Sequence, residues 1–266
     1  MGGRRFYIRF LPAILLLLRG GAGAAEPADR MITMSFAETN APYAWVKDGH
    51  VRGLEFDIMT AALGLAGYRL QAVARPYTRL SKVLVDEKID GVTGVHPNEL
   101  PGYHFSQPYM SYENYAIVRK DGAVSPQTIE DMLAHSVVAW RGAFEILDLE
   151  QKAPQSFAAA HEKSYLEFAD QAMTYKYFWN RRADVLLSDR HIYETYMREH
   201  PDNAKDAPAV TYLRLFPENW VQAAFRSKEV RDAFDQGLRR FKESGDYQRL
   251  VDCYFNPQMI AHSRNN

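Results

Sequence analysis

The sequence predicts an α/β layered protein built in two halves, and three observations carry that expectation. Short apolar runs alternate with helical stripes along nearly the whole chain. Parallel strands need a crossover helix between them, so this alternation favours mainly parallel sheets. Roughly 240 of the 266 residues remain after an export leader, enough for one large core or two medium ones, because domains run to ~100–200 residues. The series also restarts after a turn-rich break near residue 120, with no tandem repeat, charge run or low-complexity linker.

The leader comes first. Arg4 and Arg5 precede an apolar stretch from Phe10 to Leu18, and small residues run from Gly20 to Ala25, the pattern of a secretory signal with cleavage expected after Ala24. The apolar core is too short for a membrane span, which takes ~20 residues. The pair Arg4-Arg5 loosely resembles a twin-arginine signal, although paired bases are also common in ordinary leaders.

Met31 to Phe36 reads as a strand, broken by the turn residues Asn40 to Tyr43. Leu54, Ile58, Ala61, Ala62 and Leu65 form one helical stripe that Gly67 stops. Tyr68 to Ala74 predicts a strand, Tyr77 to Glu87 a helix, and Ile89 to Val95 a glycine-rich strand. A second series starts after a long strand from Tyr112 to Arg119, with a short helix from Thr128 to Leu133 and a strand from Ser136 to Trp140. A helix over Phe144 to Gln151, a strand at Tyr165 to Phe168, a helix from Asp170 to Trp179 and a strand from Ala183 to Leu187 follow. Ala209 to Phe216 and Trp220 to Phe225 predict strands, and Glu229 to Phe255 is helical with a break near Gly245.

Composition narrows the function. The chain has 32 Lys+Arg against 33 Asp+Glu, one Cys and 47% hydrophobic residues, which excludes collagen-like, disordered and disulfide-stapled classes. Without Arg4, Arg5, Arg9 and Arg19 the remainder is acidic, about −5, a balance unsuited to nucleic acid. Cys253 alone cannot form an internal disulfide. The His residues lack H-E-x-x-H or close Cys/His spacing, so neither a metal centre nor a cofactor is expected.

Several spaced elements together resemble the family-3 solute-binding proteins of ABC importers. They are Ala41-Pro42-Tyr43, Gly53-Leu54-Glu55-Phe56-Asp57, Tyr77 with Arg79, Ile89-Asp90-Gly91, Phe105-Ser106-Gln107-Pro108-Tyr109, Val137 to Gly142, and Ala183 to Asp189. The resemblance implies a two-lobed periplasmic-binding-protein-like fold of type II with two hinge strands. Its expected division is residues 1–24 as signal peptide, 25–118 plus 217–266 as the first lobe, and 119–216 as the second. It also implies a periplasmic monomer that captures a small polar solute and delivers it to an inner-membrane ABC permease, using no cofactor or metal.

The resemblance nominates the site as well. Tyr43 and Trp45 would present aromatic faces to the ligand, with core packing as the alternative. Asp189, after the strand Val185-Leu186-Leu187, matches the carboxylate that receives a ligand amino group, or else caps the following helix. The usual carboxylate-gripping arginine is replaced by His96-Pro97-Asn98-Glu99, and the usual Gly-Ser/Thr pair reads Gly142-Ala143. Arg141 would substitute as the cation, with N–H groups near Gly94 and Gly142 helping. His96, Glu99, Arg79 and Phe144 complete the candidate set, which favours an amine-bearing or amino-acid-like solute. Two alternatives stay open: a dehydratase-like enzyme with Glu99 or Glu145 as general acid, and an orphan ligand-sensing module. The aromatic run at Tyr175, Tyr177, Phe178 and Trp179 reads as one partly buried helix face.

Overall fold

The computed structural model describes residues 30–97, 100–161 and 164–255. The expected leader and Glu99 lie outside the described residues. Two mixed sheets organise the chain. In the first, β1 (Met31–Ala37) pairs in parallel with β5 (Arg69–Arg75) and β6 (Gly91–Val95). The late strand β14 (Asn219–Phe225) then inserts antiparallel between β6 and β7 (His104–Phe105), and also pairs with β8 (Met110–Tyr112). In the second, β10 (Val137–Trp140) pairs in parallel with β11 (Tyr165–Phe168) and β12 (Val185–Asp189). There β9 (Asn114–Arg119) runs antiparallel between β12 and β13 (Val210–Leu213). A small hairpin sheet of β2 (Thr39–Asn40), β3 (Ala44–Lys47) and β4 (His50–Arg52) lies beside the first.

Mainly parallel sheets were expected, and both sheets are mixed. The antiparallel members are the strands through which the chain changes lobe, which arrive without a crossover helix. The first passage falls at Glu113, between β8 in one sheet and β9 in the other. All of β9, on the near side of the division expected at residue 118, is paired with β12 and β13 of the second sheet. The return lies between β13 and β14.

Helix α1 (Leu54–Leu65) has the expected bounds and buries Leu54, Ile58, Met59, Ala62 and Leu63. Each of the Leu, Ile and Met side chains contributes roughly 1.5–3 kcal/mol when fully buried. Gly53 precedes it at φ 124, where a Cβ would collide with the Tyr43 carbonyl. The terminal helices α10 (Lys228–Glu243) and α11 (Asp246–Phe255) return to the first core. On α10, Phe234, Gly237, Leu238 and Phe241 make the buried stripe. Gly237 touches the α1 backbone so closely that a Cβ would strike the Ala62 carbonyl.

The second sheet is covered on both faces. Alternate residues divide between two cores: Val137, Ala139, Val185 and Leu187 enter one, while Val138, Leu186 and Ile117 enter the other, as strand periodicity requires. The helix expected over Phe144 to Gln151 is instead α4 (Ala143–Ile146) and α5 (Leu149–Lys152), followed by α6 (Pro154–His161). Asp148 takes a left-handed conformation, φ 56, and ends the first turn. The aromatic helix α7 (Gln171–Trp179), capped by Asp170, buries Thr174, Tyr175 and Phe178. After β12 come α8 (Arg190–Glu199) and α9 (Pro201–Ala204), while α2 (Leu80–Asp86) precedes β6 and α3 (Ile129–Leu133) precedes β10. Among the described residues no helix is long and apolar enough to cross a membrane.

Candidate functional site

A cavity of about 260 Å³ lies between the two sheets. Asn40 and Tyr77 line it from the first lobe, and Trp140, Arg141, Tyr175 and Asp189 from the second. Trp140 and Asp189 end the parallel strands β10 and β12, where crevices outside strand carboxyl ends collect ligands in open α/β sheets.

Asp189 is 3% exposed. Its Oδ1 accepts the Ile192 N–H at 2.9 Å, capping α8, and its Oδ2 accepts the Glu113 N–H at 2.7 Å and the Tyr43 hydroxyl at 3.1 Å. Burial pushes its carboxyl from 3.8 up to about 7, against the pull of these donors. Tyr43 belongs to the first core, so its bond to Asp189 joins the lobes. Two more contacts do the same. Gln171 Nε2 donates to the Thr39 carbonyl at 3.2 Å, and the His191 ring stacks on Phe255 with centroids 3.8 Å apart. The cleft is therefore closed in this structure.

Behind the wall, Glu167 holds the turn after β10. Its Oε2 accepts the Gly142 N–H at 2.7 Å and its Oε1 the Phe144 N–H at 2.9 Å, while the Tyr165 hydroxyl donates to Oε1 at 2.9 Å. In the first lobe, buried Glu55 accepts the Tyr109 hydroxyl, and Tyr109 Oη accepts the Gly94 N–H at 2.9 Å. Desolvation raises the Glu55 carboxyl from 4.5 to about 7, with the Tyr109 and Thr93 hydroxyls opposing.

The sequence profile of the bacterial extracellular solute-binding proteins, family 3, matches residues 32–257. The chain belongs to that family. No curated protein sequence matches it. Among solved structures, this family-3 protein is similar to a histidine kinase sensor domain with similarity to periplasmic binding proteins, at TM-score 0.70 and 14% identity, covering 86% of this chain and 97% of that one. It is similar to the ancestral amino acid-binding protein AncCDT-1, a precursor of cyclohexadienyl dehydratase, at TM-score 0.66 and 20% identity, covering 85% and 96%. The arginine-, lysine-, histidine-binding protein ArtJ of Geobacillus stearothermophilus aligns at TM-score 0.64 and 16% identity, covering 86% and 95%. These likenesses establish the type II two-lobed fold.

Within this family-3 protein, Arg141 and Asp189 meet on the cavity wall. The other expected residues stand elsewhere. Tyr43 is buried with its ring edge against Tyr112, centroids 4.4 Å apart, and only its hydroxyl reaches towards the cleft at Asp189. Trp45 lines a separate open groove with Tyr196 and His200. Arg79 is exposed outside the cavity, and its neighbour Tyr77 takes the wall position. Gly94 and Gly142 commit their N–H groups to Tyr109 and Glu167, so neither serves an incoming anion. His96 is half-buried beyond β6, and the Phe144 ring stacks on Phe157 in the second core. Glu145, the described general-acid candidate, is exposed on α4 and off the cavity wall. Sequence reasoning missed Asn40, Trp140 and Tyr175 as wall residues. Their signal was position, a turn for Asn40, a strand end for Trp140 and the middle of an aromatic helix for Tyr175, which resembles that of ordinary core residues.

Proposed function

We propose that this protein is an exported receptor that captures a small polar solute between its lobes and hands it unaltered to an inner-membrane ABC permease. The observation that carries the reading is the interlobe cavity, walled from both sheets and closed by contacts that cross it. A solute touching both walls favours the closed form over the open one, and the two chain passages beside the cleft act as the hinge. The family's extracellular description and the leader pattern support residence in the periplasm. Several structural neighbours are described as amino-acid-binding proteins, which supports a solute of comparable size.

A thermal-shift screen over amino acids, polyamines and small organic acids tests this, because a ligand selective for the fold raises its apparent stability by mass action. Small-angle scattering on each hit reads lobe closure, and product analysis reads turnover. Compaction with the solute recovered unchanged is expected. Absence of any stabilising solute refutes capture, and conversion of the solute refutes the receptor role in favour of an enzyme.

A further inference from the structure

We propose that the cleft selects a small planar carboxylate, gripped by Arg141 against aromatic walls, and discriminates against α-amino acids and amines. The inference rests on the receptor reading above and names its ligand class.

Among the described residues, the charged ones on the cavity wall are Glu38, Arg141 and Asp189. Asp189 is already supplied with donors. Tyr43, Glu113 and Ile192 hydrogen-bond to it and the His191 N–H faces it too, against about four lone-pair sites on a carboxylate. A ligand ammonium would have to compete with these donors, among them the α8 cap and the bond between lobes. Glu38 lies in the field of Arg75, which also binds Glu87 at 2.7 Å. Arg141 differs. Its backbone N–H is bonded to the Phe168 carbonyl, while its guanidinium has no hydrogen bond or ion pair among the described residues. A planar fork of five N–H donors is thus uncommitted on a residue that lines the cavity, a shape that matches a carboxylate by paired hydrogen bonds.

In the turn beside Arg141, Glu167 already occupies the Gly142 and Phe144 N–H groups. The remaining wall is rich in rings. Tyr77 and Tyr112 come from the first lobe, Trp140 and Tyr175 from the second. Rings supply large apolar area with an orientation preference for other flat groups. About 260 Å³ of space lies just below the usual ~300–1,000 Å³ of ligand pockets, which suits one ring bearing a carboxylate.

Titration calorimetry on the purified protein with benzoate, 4-hydroxybenzoate, benzylamine and phenylalanine tests the assignment. Benzoate or its hydroxylated form is expected to bind at least tenfold tighter than benzylamine and phenylalanine. Arg141→Gln, at an exposed position, is expected to lose at least tenfold for the carboxylates, and Arg141→Lys to fall between. Tighter binding of benzylamine or phenylalanine, unchanged carboxylate affinity in Arg141→Gln, or no carboxylate binding at all would overturn the proposal. If neutral polyols, amides or amines alone close the lobes by small-angle scattering, this ligand class falls while the receptor reading stands. If nothing closes them, both fall.

Discussion

Replacing Glu55 by Gln is expected to change how the stability of this protein responds to pH. Glu55 is 1% exposed in the first turn of α1, and its carboxyl rises from 4.5 to about 7. At about 1.4 kcal/mol per pH unit, the rise corresponds to about 3 kcal/mol. Below pH 4.5 folded and unfolded chains both hold the proton, and the group costs little. Between 4.5 and about 7 the fold keeps a proton that the unfolded chain has released, so stability falls as pH rises, and above 7 the full cost remains. Asp189, raised from 3.8 to about 7, adds a fall over an overlapping window. Gln cannot ionise, yet its amide oxygen can still accept the Tyr109 hydroxyl. In urea unfolding followed by circular dichroism, variant and parent are expected to lie close together at pH 4.5. At pH 8 the variant is expected to be more stable by about 3 kcal/mol. An offset that is equal at the two pH values would refute the burial argument.

Gly237→Ala is expected to cost ~1–3 kcal/mol by overpacking α10 against the Ala62 carbonyl, and an unchanged melting temperature would contradict that close approach. Arg119 is buried and donates to the Phe178 and Ala183 carbonyls at 3.0 and 2.6 Å. Arg119→Met, which strips those acceptors and the ion pair to Asp184, is expected to destabilise the second lobe by about 3 kcal/mol, read by hydrogen exchange on β9 and β12. Tyr43→Phe removes one bond between lobes. At about 1 kcal/mol, roughly fivefold in the open-to-closed ratio, scattering without ligand is expected to report a larger radius of gyration, and an unchanged radius would remove Tyr43 from closure.

The fold was legible where one segment contained its own determinants. The stripe from Leu54 to Leu65 ahead of Gly67 gave α1 its bounds, and the alternating apolar strands gave the layers. Strand direction at β9 and β14 was not legible, since it depends on where the chain changes lobe. The break within residues 144–151 depends on a left-handed aspartate, Asp148, that no glycine marks. On the cavity wall, Arg141 and Asp189 were legible because both sit at strand ends. The commitments that decide chemistry, Tyr43 to Asp189 and Gly142 to Glu167, join residues far apart in sequence, and neither partner's type reveals the other.

The place of β14 between β6 and β7 sets an order of assembly during synthesis. Until residue 225 has left the ribosome, β6 lacks its antiparallel neighbour and exposes an unpaired edge. Every strand of the second sheet has been made by Leu213. The second sheet can therefore fold while the first waits for β14, α10 and α11.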